Sequence, residues 1–200
     1  MKFTDTYIIG NLTFLSSWLA VLFALFFTWL IIRLQYRKET AQLYSDLAFT
    51  FIIVWKFSAI FTDFSIIVQQ PLSLLYFNGG KIGIVFAFIA VCIQFWRKRM
   101  TVDAKEMAVA IMMTQSIFQL AMVILNDNHL WQEVITLVVF SSTLIYSIRT
   151  THIKIALQNF AFIHILVALL QPVPIYAQFS VWFTIIAVGM WRLWQRSIRK

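Results

Sequence analysis

Residues 47–83 read LAFTFIIVWKFSAIFTDFSIIVQQPLSLLYFNGGKIG. The part from Leu47 to Val68 is apolar and matches the roughly 20 residues that cross a bilayer as a helix. Lys56 falls near its middle. A charge there costs on the order of 3 kcal/mol or more and normally faces a protein interior or a wet cavity. Asp63 follows two turns later on the same face of a continuous helix. The two lie about 10 Å apart along the axis at ~1.5 Å per residue. The counter-charge of Lys56 is therefore either Asp63, if both side chains reach, or Glu133 from another helix. The run closes at Gln69-Gln70-Pro71, and the six apolar residues 72–77 lead into Asn78-Gly79-Gly80. Six residues do not span a membrane. Residues 71–81 thus read as a re-entrant or interfacial segment, whose non-helical backbone must be covered by protein or line a cavity.

The rest of the chain has the same character. Of its 200 residues, 61% are hydrophobic and 12% charged, and the mean hydropathy is +0.82. Soluble domains run nearer a quarter charged. The reading is an all-α, multi-pass membrane protein forming one domain over residues 1–200. Seven spans are expected, at residues 12–34, 47–68, 82–96, 107–125, 130–148, 155–170 and 175–193. Residues 39–46 form a polar connection between the first two. Residues 126–129 form a tight polar turn, and Gln171-Pro172-Val173-Pro174 separates the last two spans. The first run is too long for a cleaved secretory signal and ends in Arg33, Arg37 and Lys38.

Seven spans put the termini on opposite sides, and the basic residues choose which. Of the 16 Lys and Arg, Lys56 is within a span and Lys2 and Lys81 fall on one side. The other 13 fall on the opposite side, among them Arg97, Lys98, Arg99, Lys105, Arg149, Lys154, Arg192, Arg196, Arg199 and Lys200. The positive-inside rule then places the N-terminus outside and the C-terminus in the cytoplasm. The net charge of +8 is thereby a matter of orientation, not of nucleic-acid binding. Trp96, Trp131, Trp191 and Trp194 sit near span ends as interfacial anchors do.

Few residues carry chemistry. Lys56 reads as an anion site, such as for a phospholipid head group, or as a structural charge. Glu133 opens the fifth span, and His164 lies within the sixth; both are candidates for a catalytic base, while a neutral, hydrogen-bonded His164 is the structural alternative. Gln115 and Gln119 share a helical face four residues apart, as interhelical glue does. Met107, Met112, Met113 and Met122 read as packing residues. The single cysteine, Cys92, forms no intrachain disulfide, and no Cys/His metal spacing, phosphate loop or nucleophile motif occurs. No metal and no cofactor are expected.

The order of these features resembles the prolipoprotein diacylglyceryl transferases, the membrane enzymes that move diacylglyceryl from phosphatidylglycerol to a lipobox cysteine. Lys56 falls where that family has the arginine of its "GAR" segment. PLSLLYFNGG, residues 71–80, is similar to its proline-to-"WNGG" approach to the third span. Gln115 matches the glutamine of "GQxxGRxGN". Glu133, in Leu130-Trp131-Gln132-Glu133, is similar to the glutamate of "QLYE". The resemblance implies a seven-span bundle in a bacterial plasma membrane. It also implies a site for a phosphatidylglycerol-like lipid, with Lys56, Asn78, Gly79, Gly80, Gln115, Gln119 and Glu133 as ligand-binding residues. A lipoprotein or another membrane protein is the further partner it implies.

The departures fall on the catalytic set. After Gly79-Gly80 the chain continues Lys81-Ile82-Gly83-Ile84, without the family's second glycine pair. The arginine and asparagine of its fourth span fall on Gln119 and Met122. Those of the sixth span, an arginine and a glutamate, fall near Ile163 and Val167. The outer segment between spans four and five is reduced to residues 126–129. The expectation is a non-catalytic relative that holds a lipid head group or an acylated partner in an outer-leaflet cavity between Lys56 and Glu133. The alternatives are an active transferase with His164 or Glu133 as base, and a small permease or membrane substrate-binding subunit.

Overall fold

The computed structural model describes residues 6–9, 12–75, 78–171 and 173–198. Lys2, Tyr76, Phe77, Pro172, Arg199 and Lys200, named above, lie outside the described residues, as does part of the 71–81 segment. The chain is helical, with a short hairpin at its start. Five helices are long and apolar enough to cross a membrane. They are α1 (Ser16–Gln35), α2 (Lys38–Phe57), α5 (Gly80–Lys98), α6 (Ala104–Ile124) and α7 (Leu130–Arg149), the second and third being followed by short helical turns that carry the apolar segment to Thr62 and Thr101. Between α2 and α5 lie the short α3 (Ala59–Thr62) and α4 (Phe64–Gln69) and a 3-10 turn, Pro71–Leu75. The shorter α8 (Ile153–Leu169) and the less apolar α9 (Phe179–Ile198) complete the chain.

Boundaries differ from the expectation at the first, second and seventh spans; the last helix is Phe179–Ile198, not 175–193, because residues 175–177 form a 3-10 turn of their own. Leu12–Leu15 is a strand, β2, paired antiparallel with β1 (Thr6–Ile9) in the register Thr6↔Leu15, so the first helix begins at Ser16. TYII and LTFL flank Gly10-Asn11, a sequence pattern for a two-residue hairpin. The second helix begins at Lys38, not near residue 47. Its first half is amphipathic: Thr40, Ala41, Leu43, Tyr44 and Leu47 are buried while Lys38 and Glu39 are exposed. Glu39 in the first turn also suits the positive end of the helix dipole. Residues 39–46 are therefore helix, not connection. The expected continuous span to residue 68 is broken at Ser58 and again at Asp63. The Ser58 hydroxyl donates to the Trp55 carbonyl at 2.7 Å, the local bond by which serine competes with helix continuation.

The chain divides into two compact units. One comprises residues 1–36 and 103–200, the other residues 37–102.

In the first unit α6 is the hub. It has 56% of its most apolar window buried, against 17–33% for the other four long apolar helices. Helix α1 packs on it through a stripe repeating every four residues, Ser16, Ala20, Ala24 and Thr28, then Ile32. In lipid there is no hydrophobic drive between helices, so small side chains that let backbones approach closely supply the association. The two helices run antiparallel. Ser16 Oγ donates to Asn126 Oδ1, just past the end of α6, at 2.7 Å. The Tyr7 hydroxyl of the hairpin donates to the Leu125 carbonyl at 2.9 Å. Helix α7 returns along α6, joined to it by a Ser116–Thr143 hydroxyl contact of 3.2 Å. Helix α9 is antiparallel to α6 as well: Trp191 Nε1 donates to the Ala104 carbonyl at 2.7 Å. The antiparallel pairings gather Arg33, Lys105, Arg149, Lys154, Arg192 and Arg196 at one end of this unit.

In the second unit α2 and α5 form an antiparallel pair. At one end Lys98 Nζ bridges Asp46 at 2.8 Å, half in solvent and so a minor contribution. At the other end the helices meet at Gly79 and Gly83. A Cβ on either glycine would collide with Ser58 Oγ, and at Gly83 it would also press on the Trp55 backbone carbonyl at 3.1 Å. The hydroxyl can rotate away; the carbonyl cannot. Gly83→Leu is therefore expected to lower stability by about 1–3 kcal/mol through overpacking, with Gly83→Ala costing less. Thermal melting of the purified protein in detergent is the check. Equal midpoints for wild type and Gly83→Leu would remove this contact from the account of the fold.

Candidate functional site

The first unit carries a polar cluster in an otherwise apolar interior. Gln119 on α6, His164 on α8 and Thr184 on α9 are 3%, 1% and 1% exposed. Gln119 Nε2 lies 2.9 Å from His164 Nε2 and 3.1 Å from Ser180 Oγ. His164 Nδ1 lies 2.9 Å from Thr184 Oγ1, which itself contacts the Ser180 carbonyl at 3.0 Å. One proton assignment accounts for all four contacts. The Gln119 amide donates to His164 Nε2 and to Ser180 Oγ; His164 Nδ1–H donates to Thr184 Oγ1; the Thr184 hydroxyl donates to the Ser180 carbonyl. The ring is then a neutral imidazole. Phe140 meets it edge-on, centroids 5.4 Å apart, and Phe160 at 5.9 Å. Both ring nitrogens are engaged and the ring is sealed from outside. The geometry joins three helices and offers no nitrogen to a substrate.

Gln115, expected beside Gln119, has a buried Oε1 with no hydrogen-bond partner among the described residues. Glu133 stands in the first turn of α7, where its Oε1 accepts the Asn128 backbone N–H at 3.3 Å. The carboxylate thus ties the 126–129 turn to the helix it precedes and suits the positive end of the dipole.

Lys56, Asn78, Gly79 and Gly80 belong to the second unit. Because α2 starts at Lys38, Lys56 lies in its last turn and not near its middle. A cation there faces the negative end of the helix dipole. Helix α2 ends one residue later, so Asp63 is not two turns along the same helix; its Oδ2 accepts from the Thr62 hydroxyl at 2.7 Å. The Gly79 N–H donates to the carbonyl of Trp55, the neighbour of Lys56, at 3.2 Å. Gly80 has φ +52°, a left-handed conformation suited to glycine. Its N–H donates to Asn78 Oδ1 at 2.9 Å, an Asx turn that opens α5. Asn78 and both glycines therefore have local work in the turn. Lys56 lies in one unit and Glu133 in the other.

The described residues contain no group of three His, Cys, Asp or Glu that could hold a metal ion. Cys92 is half-buried on α5. Reading the sequence missed Ser58, Ser180 and Thr184. Each looks like an ordinary small residue in an apolar run, and only the helix packing gives it a partner. For Thr184 the one available sign is its position four residues after Ser180, which puts both on one face.

Comparison with known protein families, with curated proteins and with solved structures finds no match for this chain.

Gln119→Leu strips His164 Nε2 of its donor and leaves a buried acceptor unpaired. The expected cost is about 1–2 kcal/mol. His164→Phe removes the stranded nitrogen, so the double variant is expected to lose less than the sum of the two single losses. A double-mutant cycle on unfolding midpoints measures this coupling. Strict additivity would mean that the pair does not bond in the folded protein.

Proposed function

We propose that this chain is a seven-span membrane protein on the plan of the prolipoprotein diacylglyceryl transferases. In this reading α8 and α9 are the sixth and seventh spans. The N-terminus is outside, the C-terminus is cytoplasmic, and the protein resides in the plasma membrane. Its role is to hold an anionic, phosphatidylglycerol-like lipid head group at Lys56 without transferring the diacylglyceryl group.

The observation that carries the lipid reading is the placing of a cation at the junction of α2 and the Asn78–Gly80 turn. Lys56 follows Trp55, whose carbonyl receives the Gly79 N–H. Both belong to one compact unit. An ammonium at the end of an apolar helix suits a phosphate, which brings its own charge to the bilayer edge and leaves its chains in lipid. Gln119 supports the non-catalytic half. It stands where the family has an arginine, and its amide is engaged by His164 and Ser180. A transferase must stabilise charge as phosphoglycerol leaves, a task for the guanidinium fork. Each lost contact of that kind lowers the rate by a factor on the order of 100 or more.

Lys56→Met keeps length and removes charge. It is expected to weaken retention of phosphatidylglycerol by about tenfold or more, the value of a charge-assisted hydrogen bond. Native mass spectrometry of wild type and variant reads this directly, and equal retention would refute the assignment. The purified protein is expected to form no thioether product from phosphatidylglycerol and a lipobox peptide. Product lost on changing Lys56 or Glu133 would identify a working transferase instead.

The orientation rests on the sequence: 13 of the 16 basic residues fall in the loops on one side of the seven expected spans. A fluorescent protein fused to the C-terminus is expected to be bright in the cytoplasm, and a periplasmic phosphatase fused there inactive. The reverse pattern would invert the topology.

A further inference from the structure

Helix α5 carries a continuous apolar stripe on its open side. Ile82, Phe86, Ile89, Ile93 and Trp96 follow one another at steps of four, three, four and three residues, which keeps them on one face of a helix. All five are between 38% and 57% exposed, whereas Gly83 and Ala87 on the face toward α2 are buried. The stripe runs from the Gly80 end of the helix to its basic end, and there it meets two arginines. Arg97 follows Trp96 and is exposed. Arg99 folds back: its guanidinium lies 3.9 Å from the centre of the Trp96 ring and donates to the Trp96 carbonyl. The ring quadrupole holds a cation in that place.

The charges at this corner do not balance. Lys98 is taken by Asp46 at 2.8 Å. Arg97 and Arg99 make no ion pair among the described residues. Two uncompensated guanidinium groups call for an anion, and their fork of donors matches phosphate. The apolar stripe that leads up to them calls for an acyl chain, and a tryptophan between the two is the setting of the membrane interface. A phospholipid supplies both parts. A zwitterionic head group brings its own cation to the phosphate and leaves the arginines little to gain. A head group of net negative charge has no such cation, so the corner favours the anionic lipid.

We propose that the basic end of α5 binds an anionic phospholipid of the adjacent leaflet, its phosphate at Arg97 and Arg99 and an acyl chain along Trp96, Ile93 and Ile89. The site lies roughly 25 Å along α5 from the Gly79–Gly80 turn, at ~1.5 Å per residue, and so at the opposite end of the α2–α5 pair from Lys56.

The test uses the full-length Lys56→Met variant, which lacks the cation at the far end of the pair, in nanodiscs of phosphatidylcholine with phosphatidylglycerol as probe. Native mass spectrometry is expected to show phosphatidylglycerol retained in preference to phosphatidylcholine. Adding Arg97→Gln and Arg99→Gln is expected to lower that retention roughly tenfold or more, the effect of removing two basic residues from an anionic surface. Soluble glycerol phosphate is expected not to displace the lipid, because it has no chain for the stripe. Absence of the preference in Lys56→Met would overturn the proposal, whether or not the arginine variants fold. So would equal retention after the two glutamine changes, and so would displacement by glycerol phosphate. A wild type that retains no more phosphatidylglycerol than Lys56→Met would count against the Lys56 assignment alone, since the dependence on the arginines is read within the Lys56→Met background.

Discussion

Helices in a bilayer must be held together without the force that assembles soluble proteins. Lipid tails are as apolar as leucine, so burying leucine against leucine gains little. What remains is close approach and polar bonding, and this chain places both on α6. The stripe of Ser16, Ala20, Ala24 and Thr28 brings α1 against it. Gln119 reaches α8 and α9 at once through His164 and Ser180. The same device recurs on a smaller scale between α2 and α5, where Gly79 and Gly83 leave room for the Ser58 hydroxyl that a Cβ would collide with. The large apolar residues, such as Phe26 and Phe61, are left exposed for the lipid.

The helices most legible in the sequence are those bounded by strong polar signals. Residues 130–148 became Leu130–Arg149 and residues 155–170 became Ile153–Leu169, because turn residues and basic residues fence these runs. Hydropathy alone failed where polarity and helix coexist. The segment KETAQLYSD, residues 38–46, is polar in sum but carries a buried face, so a search for apolar runs starts the helix too late. That one error moved Lys56 from the end of a helix to its middle. The opposite failure occurred at residues 12–15, where an apolar run that could have continued a helix pairs with its neighbour as a strand.

The polar cluster was half legible. The spacing of Gln115 and Gln119 put them on one face, and His164 stood out as a polar group in an apolar run. Their pairing was not legible, because it depends on the rotation of α8 about its own axis, which the local sequence does not fix. Serine and threonine gave still less warning. A hydroxyl in a membrane helix can bond to its own preceding turn, and Thr184 does so while also receiving His164.

The division of the chain has a consequence for its synthesis. The first unit is discontinuous: α1 is separated from α6 by the 66 residues of 37–102. At roughly 5–20 residues per second, about 3–13 s pass between the emergence of α1 and that of its partner. Throughout that interval Ser16 and Thr28 face lipid, or whatever protein shelters them, with their small-residue stripe uncovered. The second unit has no such wait, since α2 and α5 are neighbours in the nascent chain. The later part of the sequence therefore completes the earlier one: the inserted pair can close first, and α1 is held over until α6 arrives to claim it.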